Sequence, residues 1–162
     1  MKSMFSRGLA SLTATAAILL LSACAALTGA NQAATNAASG VLQLATVVAV
    51  QSNCSATPTQ TLSQCYYKRA QTITNIVGTL VGAATATSAT LPQVQAAADT
   101  AVLNAPVQDR ESLKILLNKA TLAINQQIGS SAGTGLLSVT QQAIIQAVAA
   151  QITAVSNDYP AS

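Results

Sequence analysis

The stretch that decides the fold is residues 90–105, TLPQVQAAADTAVLNA. It opens with Thr90-Leu91-Pro92-Gln93, which has the form of a capping box. The Thr hydroxyl is spaced to accept from the backbone N–H three residues on, and the Gln side chain is spaced to reach back. Behind the box, Leu91, Val94, Ala98, Ala101/Val102 and Ala105 recur in steps of three and four. That spacing puts them on one face of a helix.

The same signature occurs twice more. Ser138-Val139-Thr140-Gln141 precedes Ile144/Ile145, Val148, Ile152 and Val155. Thr57-Pro58-Thr59-Gln60 puts Thr57 at an N-cap, Pro58 at the first helical position and Gln60 at the end of the box. The helix it starts is expected to run to about residue 87, with Leu62, Tyr66, Ile73, Ile76/Val77, Leu80 and Ala84 on its stripe. A fourth helix is expected from near Pro106. Asp109 and Glu111 lie in its early turns, where the helix dipole favours negative charge. Its stripe is Leu113, Leu116/Leu117, Ala120, Ile124 and Ile128, and Gly129 supplies a stop. Residues 40–52 show Val41, Leu44 and Val48 at helical spacing with Leu42, Val47 and Val50 alongside. Their β-branched content leaves a strand open there. Residues 130–135 (SSAGTG) read as a turn, and residues 157–162 as a frayed end. Boxes and stripes agree on an all-α fold: a compact antiparallel bundle of about four to five helices over residues 41–162.

The bundle has an unusual palette. The chain contains no His and no Trp, and its single Phe lies at position 5. The core must therefore be built from aliphatic side chains and Ala, which favours close helix approach over large cavities. Beyond residue 23, Lys68, Arg69, Arg110, Lys114 and Lys119 face Asp99, Asp109, Glu111 and Asp158, a net charge of about +1. Nucleic-acid binding wants clustered Lys/Arg on one face, so no nucleic-acid partner is expected.

The N-terminus is a separate matter. Lys2 and Arg7 form a short positive region, residues 9–21 are apolar apart from small hydroxyl residues, and small residues follow. That order is a secretory signal, and the run is shorter than the roughly 20 residues a spanning helix needs. It closes on Leu21-Ser22-Ala23-Cys24, which resembles the lipobox of bacterial lipoproteins. The small residues alone also suit an ordinary signal peptidase; the Cys separates the two readings. The resemblance implies that residues 1–23 are removed and that Cys24 becomes the lipidated first residue. It further implies two or three acyl chains on Cys24, enough for a stable anchor where one chain is marginal. Ala25 rather than Asp after the Cys implies, for Gram-negative lipoproteins, sorting to the outer membrane, facing the periplasm. Residues 24–40 then comprise the lipidated Cys and a small, uncharged tether.

With Cys24 assigned to lipid, Cys54 and Cys65 remain, an even pair in an oxidising compartment. They flank the turn between the first two helices and are expected to form a structural disulfide. Redox pairs sit at Cys-x-x-Cys spacing, which this is not. Metal sites want four ligands, and there is no His to contribute. No metal or cofactor is expected.

Catalysis is poorly provisioned. Without His there is no ordinary Ser-His or Cys-His nucleophile, and Asp109 and Glu111, two apart, do not face each other on a helix. No enzyme is expected. Two features are candidates for contact. Tyr66-Tyr67-Lys68-Arg69 combines residue types enriched at binding hot spots, suited to an envelope protein or cell-wall polymer. The competing reading is one Tyr in the core and the rest on a solvated face. Gly78 and Gly82 form a GxxxG in a long uncharged span. They suit close packing of another helix within the bundle, or, as the alternative, a membrane-active or pore-type oligomer. The expected role is structural, binding or accessory, with the membrane engaged through lipid on Cys24.

Overall fold

The structure is a computed structural model that describes residues 32–129 and 135–161. The expected signal peptide, Cys24 and most of the 130–135 turn lie outside the described residues. Among those described, five α-helices and one 3₁₀ turn account for the regular structure: α1 (Gln32–Gln51), α2 (Leu62–Ala84), α3 (Leu91–Leu103), the 3₁₀ turn Val107–Asp109, α4 (Arg110–Ile128) and α5 (Val139–Ser156). The all-α bundle holds. Residues 40–52 are helical up to Gln51, so the strand alternative falls.

Two capping boxes form as spelled. Thr90 Oγ1 accepts from Gln93 N at 3.4 Å while Thr90 N donates to Gln93 Oε1 at 3.0 Å. Ser138 and Gln141 make the same reciprocal pair at 3.2 and 2.9 Å. The third is displaced. The box that opens α2 is Thr61 with Gln64, four residues after the expected Thr57 with Gln60. The sequence 57–64 offers Thr-x-x-Gln in both registers. The chain must reverse direction here, and Thr57 and Gln60 are used for that. Their backbones exchange hydrogen bonds at 2.9 and 3.3 Å, closing a tight turn.

α1 departs from expectation at its start. It begins at Gln32, so residues 32–40, which composition reads as tether, are helical. Ala is the best helix former, and Ala33, Ala34, Ala37 and Ala38 supply it.

Hydrogen bonds between helix ends set the topology. At one end, Leu137 N donates to Ala89 O at 2.8 Å, placing the starts of α3 and α5 together. At the other, Gln51 Nε2 donates to Tyr159 Oη at 3.0 Å, joining the ends of α1 and α5. Asn53 Nδ2 donates to Gln108 O at 3.1 Å beside the start of α4. Each helix therefore runs antiparallel to the next. α5 packs against α1, α2 and α4, while α3 covers α2 and α4. The core is aliphatic and rich in Ala: Ala84 and Ala98 are wholly buried, and Ala49, Ala70, Ala120 and Ala149 nearly so.

Candidate functional site

α1 carries two apolar stripes that the sequence does not rank, and the structure buries one and exposes the other. Leu42, Thr46, Ala49 and Val50 are buried. Val41, Leu44 and Val48, whose spacing marks the helix in the sequence, are 51, 66 and 53 % exposed. One turn geometry explains the choice. Positions 42, 46, 49 and 50 share one face, and 41, 44 and 48 share another. The buried set carries two small residues, Thr46 and Ala49, which let α1 approach its neighbours closely.

The exposed stripe does not stand alone. α4 runs antiparallel beside α1 and shows Ile115 at 49 % and Leu122 at 51 % exposure. Val41, Leu44, Ala45 and Val48 form one wall of an open groove, and Ile115 with Lys119 forms the other. Ser52, Asn53, Glu111 and Ser112 close one end. Half of the exposed large apolar side chains among the described residues lie on this α1–α4 face. A contiguous patch rimmed by polar residues marks an interaction site, whereas single exposed apolar side chains do not.

Behind the polar end lies a buried ion pair. Arg69 of α2 is only 4 % exposed. Its Nη2 donates to Asp109 Oδ1, and its Nη1 donates to Ala49 O at 3.2 Å, Ser52 Oγ at 2.9 Å and Ser112 Oγ at 3.4 Å. One guanidinium thus ties the end of α1, the body of α2 and the start of α4. Arg69 Nε is buried with no acceptor. Burial pushes the Asp109 carboxyl above its ordinary value, and the Arg69 charge and hydrogen bond pull against that. Asp109 is thereby committed to the interior rather than to the α4 dipole.

The expected contact patch at residues 66–69 is not one surface. Four consecutive helical residues point in four directions, and these do. Tyr66 is half-buried, its ring edge-on to Tyr159 with centroids 5.9 Å apart. Tyr67 Oη accepts from Gln71 Nε2 at 2.7 Å. Lys68 is exposed and Arg69 is internal. Gly78 and Gly82 are also placed otherwise than expected. A Cβ built on either meets nothing within 4 Å, so among the described residues no helix packs closely on them. Ile73, Val77, Leu80 and Ala84 of the same helix carry its contacts with the core instead. Cys54 and Cys65 sit at disulfide distance with Cα atoms 5.8 Å apart, tying the turn after α1 to the first turn of α2.

Among the described residues, no helix is long and apolar enough to cross a membrane, and no group of three His, Cys, Asp or Glu could hold a metal ion. The α1–α4 face is hidden in the sequence because two stripes out of phase with each other both read as core. The Arg69–Asp109 pair has a signal. Each is four residues before a core position, Ile73 and Leu113, and so falls on its helix's buried stripe. The chain matches no protein-family model, no curated protein and no solved structure.

Proposed function

We propose that the protein is a lipid-anchored component of the bacterial envelope that works by binding, with the α1–α4 face as its contact surface. The observation that carries the reading is the exposed stripe Val41, Leu44 and Val48 facing Ile115 across a groove. α1 is also the helix nearest the anchor. Cys24 lies eight residues before Gln32, and a chain of that length spans at most about 28 Å. Lipid on Cys24 would keep the face close to the bilayer and to other envelope components. The absence of His from the sequence and the use of Asp109 and Arg69 inside the bundle support binding over catalysis.

A photo-crosslinking side chain placed at Leu44, compared with one at Thr79, tests the face in native membranes. Thr79 is exposed on α2, away from the groove. The expected result is a discrete adduct from position 44 and none from position 79. No adduct from 44, or equal adducts from both, would overturn the assignment.

A further inference from the structure

We propose that the occupant of the α1–α4 groove is a second copy of this chain, with α4 of each copy lying antiparallel in the other's groove. This deepens the contact-surface reading and rests on it for the choice of face.

The observation is a self-complementary pattern. Glu111, Ile115 and Lys119 are all exposed, and their four-residue spacing puts them on one side of α4. The acid and the base are about 12 Å apart along the helix, and Ile115 lies midway. A twofold axis through Ile115 reverses the direction of α4. It sets Ile115 against its own equivalent, Glu111 against Lys119 of the second copy, and Lys119 against Glu111 of the second copy. In such an isologous interface each contact occurs twice. The pattern continues outward. Leu122 follows Lys119 by three residues on the same side of α4, at 51 % exposure.

Neither Glu111 nor Lys119 forms an ion pair within the chain among the described residues; the pair found is Arg69 with Asp109. A surface of one charge sign would satisfy only one end of the stripe. An anionic bilayer attracts Lys119 and repels Glu111, whereas a copy of the same stripe satisfies both. The groove wall formed by Val41, Leu44 and Val48 then receives the apolar side chains of the second α4. The anchors are compatible with this. With the twofold axis along the membrane normal, the helices lie flat, and both α1 N-termini reach one bilayer. Confinement to a membrane raises the effective concentration, so an interface of modest size suffices.

The test is Ile115→Cys in the full chain, oxidised mildly in native membranes. The axis places the two new thiols together, so a disulfide-linked species of twice the chain mass is expected, and Thr79→Cys yields none. Adding Glu111→Lys or Lys119→Glu alone turns both attractive pairs repulsive and lowers the yield about tenfold. Adding both to one chain restores it. No dimer from Ile115→Cys, an equal yield from Thr79→Cys, or a yield indifferent to the charge reversals overturns the proposal. Photo-crosslinking at Leu44 separates the two readings. Adducts there with lipid or with another protein, and no dimer, sink the pairing and leave the contact face standing. No adduct at all sinks the face itself.

Discussion

Arg69 holds its charge inside the bundle by directing its donors at Asp109, Ala49, Ser52 and Ser112. A buried pair of this kind contributes little net stability, because removing two charges from water costs about as much as their attraction gains, but losing one partner strands the other. Asp109→Leu, which leaves Arg69 with neither counter-charge nor acceptor, should therefore destabilise the fold by about 3–5 kcal/mol, and Arg69→Met by a similar amount. The double replacement Arg69→Met/Asp109→Leu should cost far less than the sum. Urea unfolding of the four proteins measures this, and additive losses would mean that the two side chains act independently rather than as a pair. The pH dependence has a definite sign. Asp109 sits above its ordinary value of 3.8 in the folded chain, so the folded state binds its proton more tightly than the unfolded state. Its contribution is present below that ordinary value, is lost as pH rises through the raised one, and is constant above. The stability of the native sequence minus that of Asp109→Asn should fall over this window; a rise would contradict the placement of Asp109. Both residues stand on core stripes in the sequence, a signal that the reading of Arg69 as a contact residue and of Asp109 as a partner of the helix dipole passed over. Their pairing was not legible, because it joins α2 to α4 through a fold that no local pattern specifies.

At the scale of the helix, cap chemistry is legible in the sequence and phase is not. The boxes at Thr90 and Ser138 are local signals and appear where the residues place them. The Thr57 box fails because a second copy of its pattern, at Thr61, suits the chain reversal between α1 and α2. Thr61→Ala should cost about 1 kcal/mol and Thr57→Ala only a few tenths, as read by urea unfolding; the reverse order would put the working cap at Thr57. Gly78 and Gly82 are interior to α2 with open space where a side chain would go. Replacing either by Ala should stabilise the protein by about 0.5–1 kcal/mol, since Gly is the poorer helix former by that amount. A loss instead would mean that something packs on them. α1 was legible as a helix but not in its orientation. Its two stripes are both apolar, and the choice between them is made by how closely Thr46 and Ala49 let α4 and α5 approach. That is a property of the packed state, which is why the candidate contact face emerges only with the fold.

Over the whole molecule, the order of helices and their antiparallel course follow from short connections and three start signals, so the architecture was legible from sequence. The Cys54–Cys65 link closes the α1–α2 turn. Removing it with Cys54→Ser and Cys65→Ser together should cost about 3 kcal/mol and lower Tm by roughly 10 °C, as read by thermal unfolding under non-reducing conditions. The proposed anchor precedes the described helices in sequence and rests on the Leu21-Ser22-Ala23-Cys24 resemblance, and the proposed contact face would gain its effect from being held near a membrane. Anchor and disulfide are tested together by the intact mass of the membrane-extracted protein with and without reductant. The expected species is a chain beginning at Cys24 and carrying acyl groups, heavier by about two daltons after reduction as one disulfide opens. An unlipidated mass, or one that retains residues 1–23, would contradict the anchor.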